Sequence, residues 1–188
     1  MAAKLLALSA LAALALAAPA AADEEVVRHG QSIGKIRLGM SVAEVRDLLG
    51  RERAVNVREP RGTRGYVYLE LDWDFGWWTV GFMRRGKGLF KAVLVGTSQR
   101  AQRTSQGFGL GTFKHELQRR LDARCRTVVN ARGVPRQREC VHGDTGRSQT
   151  VFLLENYIGR GEKSPRVRNV EVRDPLFYLG WRVRFEDA

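Results

Sequence analysis

The chain has 188 residues, 44% of them hydrophobic, and carries a formal net charge of +12. That length suffices for one domain with a sizeable core or for two small ones. Beyond the N-terminus no apolar run is long enough to cross a bilayer as a helix, so no transmembrane segment is expected in the mature chain. The charge would attract anionic partners such as an envelope polymer, a lipid surface or an acidic protein. It is carried mainly by arginines scattered along the chain, a pattern that also fits a simple composition bias.

Residues 1–22 read as a secretory signal peptide. Lys4 gives a short positive start, Leu5–Ala18 is apolar or small apart from Ser9, and Ala20 and Ala22 sit where a signal peptidase accepts small residues. Cleavage is expected between Ala22 and Asp23. The short run and the acidic "DEE" after it argue against an uncleaved anchor. The expected location is secreted, either extracellular or associated with the cell envelope.

A helix is expected within "IRLGMSVAEVRDLLG". Ser41 and Glu44 form a capping box, Val42, Val45, Leu48 and Leu49 share one face, and Gly50 supplies the stop. Residues 51–65 are polar and arginine-rich and read as an exposed loop. "YVYLELDWD" then alternates Tyr66, Tyr68, Glu70 and Asp72 against Val67, Leu69, Leu71 and Trp73, the pattern of a strand with one apolar face. "WWTVGFM" and "LFKAVLVGTS" continue as two more strands of an antiparallel meander.

The same order then repeats. "FGLGTFKHELQRRLD" matches the first helical segment at a constant offset: Gly39 with Gly111, Glu44 with Glu116, Val45 with Leu117 and Leu49 with Leu121. Thr112 is the better cap here, which would shift the helix start by one residue. Strands are expected at "CRTVV", "RECVH", "TVFLLENY", "VRNVEVRD" and "WRVRFED". Cys125 and Cys140 are the only cysteines. In an exported chain they are most simply a disulfide, worth roughly 3 kcal/mol for a loop of this length. His142 lies close to Cys140, but nothing completes a metal-ligand set at familiar spacing.

The expected fold class is α+β: two tandem modules, each a short helical element packed on an antiparallel sheet of three to four strands. The first would span 23–105 and the second 106–188. "IGKIRLGMSVAEVRDLLG" resembles the opening motif of SmpA/OmlA-type (BamE-like) modules, a family of bacterial envelope lipoproteins. In tandem it is similar to the β-lactamase inhibitory protein superfamily. The resemblance implies that the two sheets join into a broad concave surface gripping a partner protein, and that the chain is not an enzyme. Three departures stand out. The acylated cysteine of the lipoprotein is missing, the second "GMT" has become Gly111-Thr112-Phe113, and the first module has no cysteine pair.

The candidate binding residues are Tyr66, Tyr68, Glu70 and Asp72 on the polar face of the first strand, with Trp77 nearby and Arg182 and Arg184 extending the face in the second module. Tyrosine and tryptophan give large contact area at low entropic cost. Trp77 and Trp78 point to opposite faces, so one of them joins Trp73 in the core. Asp72 and Asp74 share a side but lack the partners that metal binding or acid–base catalysis needs. "GFGLG" at 107–111 faintly resembles a phosphate loop without its Lys-Ser/Thr, and reads as the approach to the helix. No catalytic, metal or cofactor site is expected. Nor is nucleic-acid binding, since no stacking motif is visible. The expected function is a non-enzymatic binding protein for an extracellular or envelope protein. The alternative is a basic surface accessory protein held by anionic envelope components.

Overall fold

Two glycines in the left-handed region set where the helices begin. Gly39 and Gly111 have φ of 84° and 82°, a conformation that costs a glycine least. At each, the chain clips onto a strand by the same pair of bonds. Gly39 N donates to Ala92 O and Ala92 N to Met40 O, both at 2.8 Å; Gly111 N donates to Val167 O at 2.8 Å and Val167 N to Thr112 O at 2.9 Å. The repeated Leu-Gly is therefore a docking device.

The computed structural model describes residues 26–58, 65–74, 77–129, 135–144, 146–155, 165–179 and 184–187. The expected signal peptide lies outside them. In chain order the elements are β1 (Val26–Arg28), β2 (Ser32–Ile33), β3 (Ile36–Arg37), α1 (Val42–Leu49), β4 (Ala54–Arg58), β5 (Tyr66–Trp73), β6 (Trp78–Arg85) and β7 (Lys91–Thr97). Then come β8 (Arg103–Thr104), α2 (Lys114–Arg120), β9 (Arg124–Val129), β10 (Pro135–His142), β11 (Gln149–Leu154), β12 (Val167–Arg173), α3 (Pro175–Leu179) and β13 (Arg184–Asp187).

The expected α+β pair of helix-on-sheet modules is corrected. The chain is predominantly β. Among the described residues one continuous antiparallel sheet of nine strands runs β13-β9-β10-β11-β12-β7-β6-β5-β4, and β3-β2-β1-β8 form a separate mixed sheet. The halves fuse where β12 pairs with β7, Val172 opposite Val95 and Val170 opposite Thr97. A single core cluster unites Val45 of α1 and Leu117 of α2 with Val27, Ile33 and Ile36 of the small sheet and with Trp73, Val80, Phe82, Phe152 and Val170 of the large one. Neither half closes a core alone, because the helices are only two turns long and cover too little of a sheet face.

Local expectations fare unevenly. The capping box of α1 forms: Ser41 N donates to the Glu44 carboxylate at 2.7 Å and Glu44 N to Ser41 Oγ at 3.3 Å. The Ser41 backbone N–H first, and then its hydroxyl, which donates to the same Glu44 oxygen at 2.7 Å, hold the Glu44 carboxyl below its ordinary range. The start of α2 does not shift to Thr112. Phe113 is its N-cap, Glu116 accepts from Phe113 N at 3.0 Å, and the Thr112 hydroxyl instead accepts from Gly109 N. The polar stretch 51–65 is not wholly loop, because Ala54–Arg58 forms the edge strand β4. The cysteines join as a disulfide between directly opposed residues of β9 and β10, with Cα atoms 3.9 Å apart. Arg184–Asp187 pairs with β9 at the far edge, while Trp181 and Arg182 lie outside the described residues.

The face of the large sheet opposite the helices is also partly covered. After β12 the chain forms α3, which seats Phe177 against Tyr68, Met83, Val93 and Leu94. Strand alternation alone does not report such a cover, since it records only which residues share a face.

Candidate functional site

The expected aromatic face does not form one exposed patch. Tyr68 is 2% exposed and packs its ring edge-on to Phe177, with centroids 6.1 Å apart. Its hydroxyl donates to Glu70 Oε2 at 3.2 Å. Tyr66 is half-buried, with the Arg85 guanidinium 5.8 Å from its ring centroid. Asp72 accepts from the Thr79 hydroxyl at 2.6 Å. Trp77 is 56% exposed in the β5–β6 turn, whereas Trp78 and Trp73 are core. The backbone of Arg184 pairs with Val129 at the opposite edge of the sheet from β4, so it is no neighbour of Tyr66. The structure thus brings Tyr66, Tyr68, Glu70 and Asp72 onto one strand face but buries its central aromatic.

What is exposed is the edge beside that strand. Val55 and Val57 of β4 are 55% and 64% exposed, and they point to one side of the sheet because they are two residues apart. No described strand pairs with the outer side of β4. Ala54 pairs with Asp72 and Trp73 with Trp78, which puts Trp77 at the end of the sheet where β4 begins. The sequence signal for this edge was the short alternation "AVNV", hidden among arginines.

A second feature is a cleft of about 860 Å³ between the loop before α2, α2 itself and the start of β12. Among the described residues five arginines line it: Arg100, Arg103, Arg120, Arg166 and Arg168. Arg166 stacks over Phe113, 4.4 Å from the ring centroid, and Arg120 over Phe108 at 5.2 Å. Arg103 donates to the carbonyls of Gly107 at 2.9 Å and Leu110 at 3.1 Å, so it braces the loop. Sequence reading saw these arginines as scattered, since folding is what gathers them.

One wall of the cleft is tied to the rest of the molecule through a histidine. Gln106 lines the cleft, and its side-chain oxygen lies 3.3 Å from His29 Nε2. His29 Nδ1 lies 3.1 Å from the Thr150 hydroxyl, which also accepts from Gly30 N at 3.0 Å. The His142 ring meets that of His29 edge-on, at a centroid distance of 4.4 Å. Burial first, and then neighbouring His142, push the His29 imidazole below its ordinary pKa, and the Gln106 bond partly opposes them.

Among the described residues no group of three or more His, Cys, Asp or Glu side chains gathers at a metal-sized site. No helix there is long and apolar enough to cross a membrane. No family model matches the chain, and no match is found among curated proteins or solved structures.

Proposed function

We propose that this chain is a secreted, non-enzymatic binding protein that docks an extracellular or envelope protein along the β4 edge. The observation that carries the reading is the pair of exposed valines on an outer strand. Edge strands in soluble proteins are usually guarded by charge, proline or a bulge, because an open apolar edge invites another strand. β4 has arginines before it and at its end, but Val55 and Val57, on either side of Asn56, leave one of its faces apolar in solvent. A partner segment added there would gain main-chain hydrogen bonds and cover Val55 and Val57, with Trp77 as an aromatic anchor at one end. The resemblance to SmpA/OmlA-type modules agrees with a non-catalytic envelope role.

The test is capture from envelope extract and culture supernatant of the protein's own source, at low and high salt. The wild-type protein is compared with the double variant Val55→Glu, Val57→Glu. One protein held at high salt by the wild type and lost by the variant supports the edge. A broad anionic set, lost at high salt and indifferent to the variant, would favour the second reading: a basic accessory protein retained by charge. The net charge of +12 gives that reading its footing.

A further inference from the structure

We infer that the arginine cleft is a binding site for a phosphate-bearing ligand, of diphosphate charge, independent of the protein-docking edge. The cleft is rich in positive charge. Among the described residues that line it, Glu116 and Glu155 are acidic against five arginines, so arginine predominates in one concavity. Glu116 is already engaged by the Phe113 N–H at 3.0 Å. Folding brings like charges this close only at a cost in repulsion, and an anion offsets it.

Two of the guanidinia are also anchored on aromatic rings. A guanidinium lying over an aromatic ring is held by one face, and its donors lie in its own plane. Arg120 and Arg166 are both held in this way, on Phe108 and Phe113. A phosphate offers three oxygens and more charge than a carboxylate, so it can accept from more guanidinium donors. The cleft is also large enough for more than one phosphate. About 860 Å³ exceeds a lone phosphate and falls in the range of small-ligand sites, so it has room for a second phosphate and the group it is attached to.

The loop "GFGLG" contributes shape and few donors. Gly107 N donates to Thr104 O, Phe108 N to the Thr104 hydroxyl, Gly109 N to the Thr112 hydroxyl and Gly111 N to Val167 O. These four amides are spent inside the protein, unlike those of a nucleotide-binding phosphate loop. The arginine side chains therefore supply the recognition.

The same phosphate chemistry could arrive on a free nucleoside or sugar diphosphate or on an envelope polymer. Titration calorimetry on the folded, oxidised protein, with inorganic pyrophosphate as probe, tests the site. Saturable one-to-one binding is expected. Arg120→Gln with Arg166→Gln should weaken it by about tenfold or more. The charge-preserving Arg120→Lys with Arg166→Lys should weaken it several-fold through loss of the forks. Arg147→Gln, in the β10–β11 turn away from the cleft, should leave affinity within about twofold. Competition by uridine diphosphate or by poly(glycerol phosphate) then assigns the source. Absence of saturable binding overturns the inference. So does equal weakening by all three variants, which would mean general charge attraction, or full affinity in the lysine variant.

Discussion

Tyr68→Ala separates a core role from a contact role for the one tyrosine that sequence pattern places at the centre of a binding face. The ring is 2% exposed and packs with Met83, Val93, Leu94 and Phe177. It also lies across Gly81, where an added Cβ would come within 2.8 Å of the Tyr68 Cζ, so the strand beneath is shaped to receive it. Truncating a buried aromatic to alanine costs about 3–5 kcal/mol. In a chain of this size each kcal/mol moves the melting temperature by about 2–4 °C, so a fall of roughly 6–20 °C is expected. Tyr68→Phe keeps the ring and loses the hydroxyl bond to Glu70, a loss of about 1 kcal/mol. Thermal and urea unfolding followed by circular dichroism give both values. A Tyr68→Ala protein that melts with the wild type yet no longer captures its partner would refute the burial argument and restore the exposed aromatic face.

Three further outcomes follow from contacts elsewhere. Glu139 is fully buried between Arg126 and Arg173, with N···O distances of 2.7 and 2.9 Å. Glu139→Gln should cost about 3 kcal/mol in urea unfolding, the low end for a broken buried pair, because Arg173 keeps Glu171 at 2.6 Å; a cost below about 1 kcal/mol would sink this account. The depressed pKa of His29 makes the unfolded chain bind its proton first as the pH falls. The His29 contribution should be complete above the ordinary imidazole value of about 6.5, decline as the pH drops toward the folded value and then level off, and it should vanish from stability–pH curves of His29→Gln. Replacing Cys125 and Cys140 together by alanine should cost about 3 kcal/mol in chemical unfolding, and a stability equal to the oxidised wild type would show that the β9–β10 pair holds without its bridge.

The sequence by itself determined what depends on near neighbours. Ser41 and Glu44 are three residues apart, so their capping box was readable. The alternation of Tyr66–Trp73 marked a strand because strand side chains have a period of two. The matched Gly39 and Gly111 announced a repeated local device, and the one pair of cysteines announced its bridge.

The tertiary structure alone decided which strands met. Backbone donors and acceptors are the same for every residue, so nothing local says that β12 will pair with β7 and merge two expected sheets into one. Nor does local pattern say that α3 will return to cover Tyr68, or that β4 will be left at the edge with Val55 and Val57 in solvent. The arginine cleft is the sharpest case. Arg100 and Arg168 are far apart in the chain, and they line one cavity only because the loop before α2 is clipped to the start of β12 at Gly111 and Val167. Charge composition is additive along a sequence, whereas a site is a property of distances in space, and those are set by packing of the whole core.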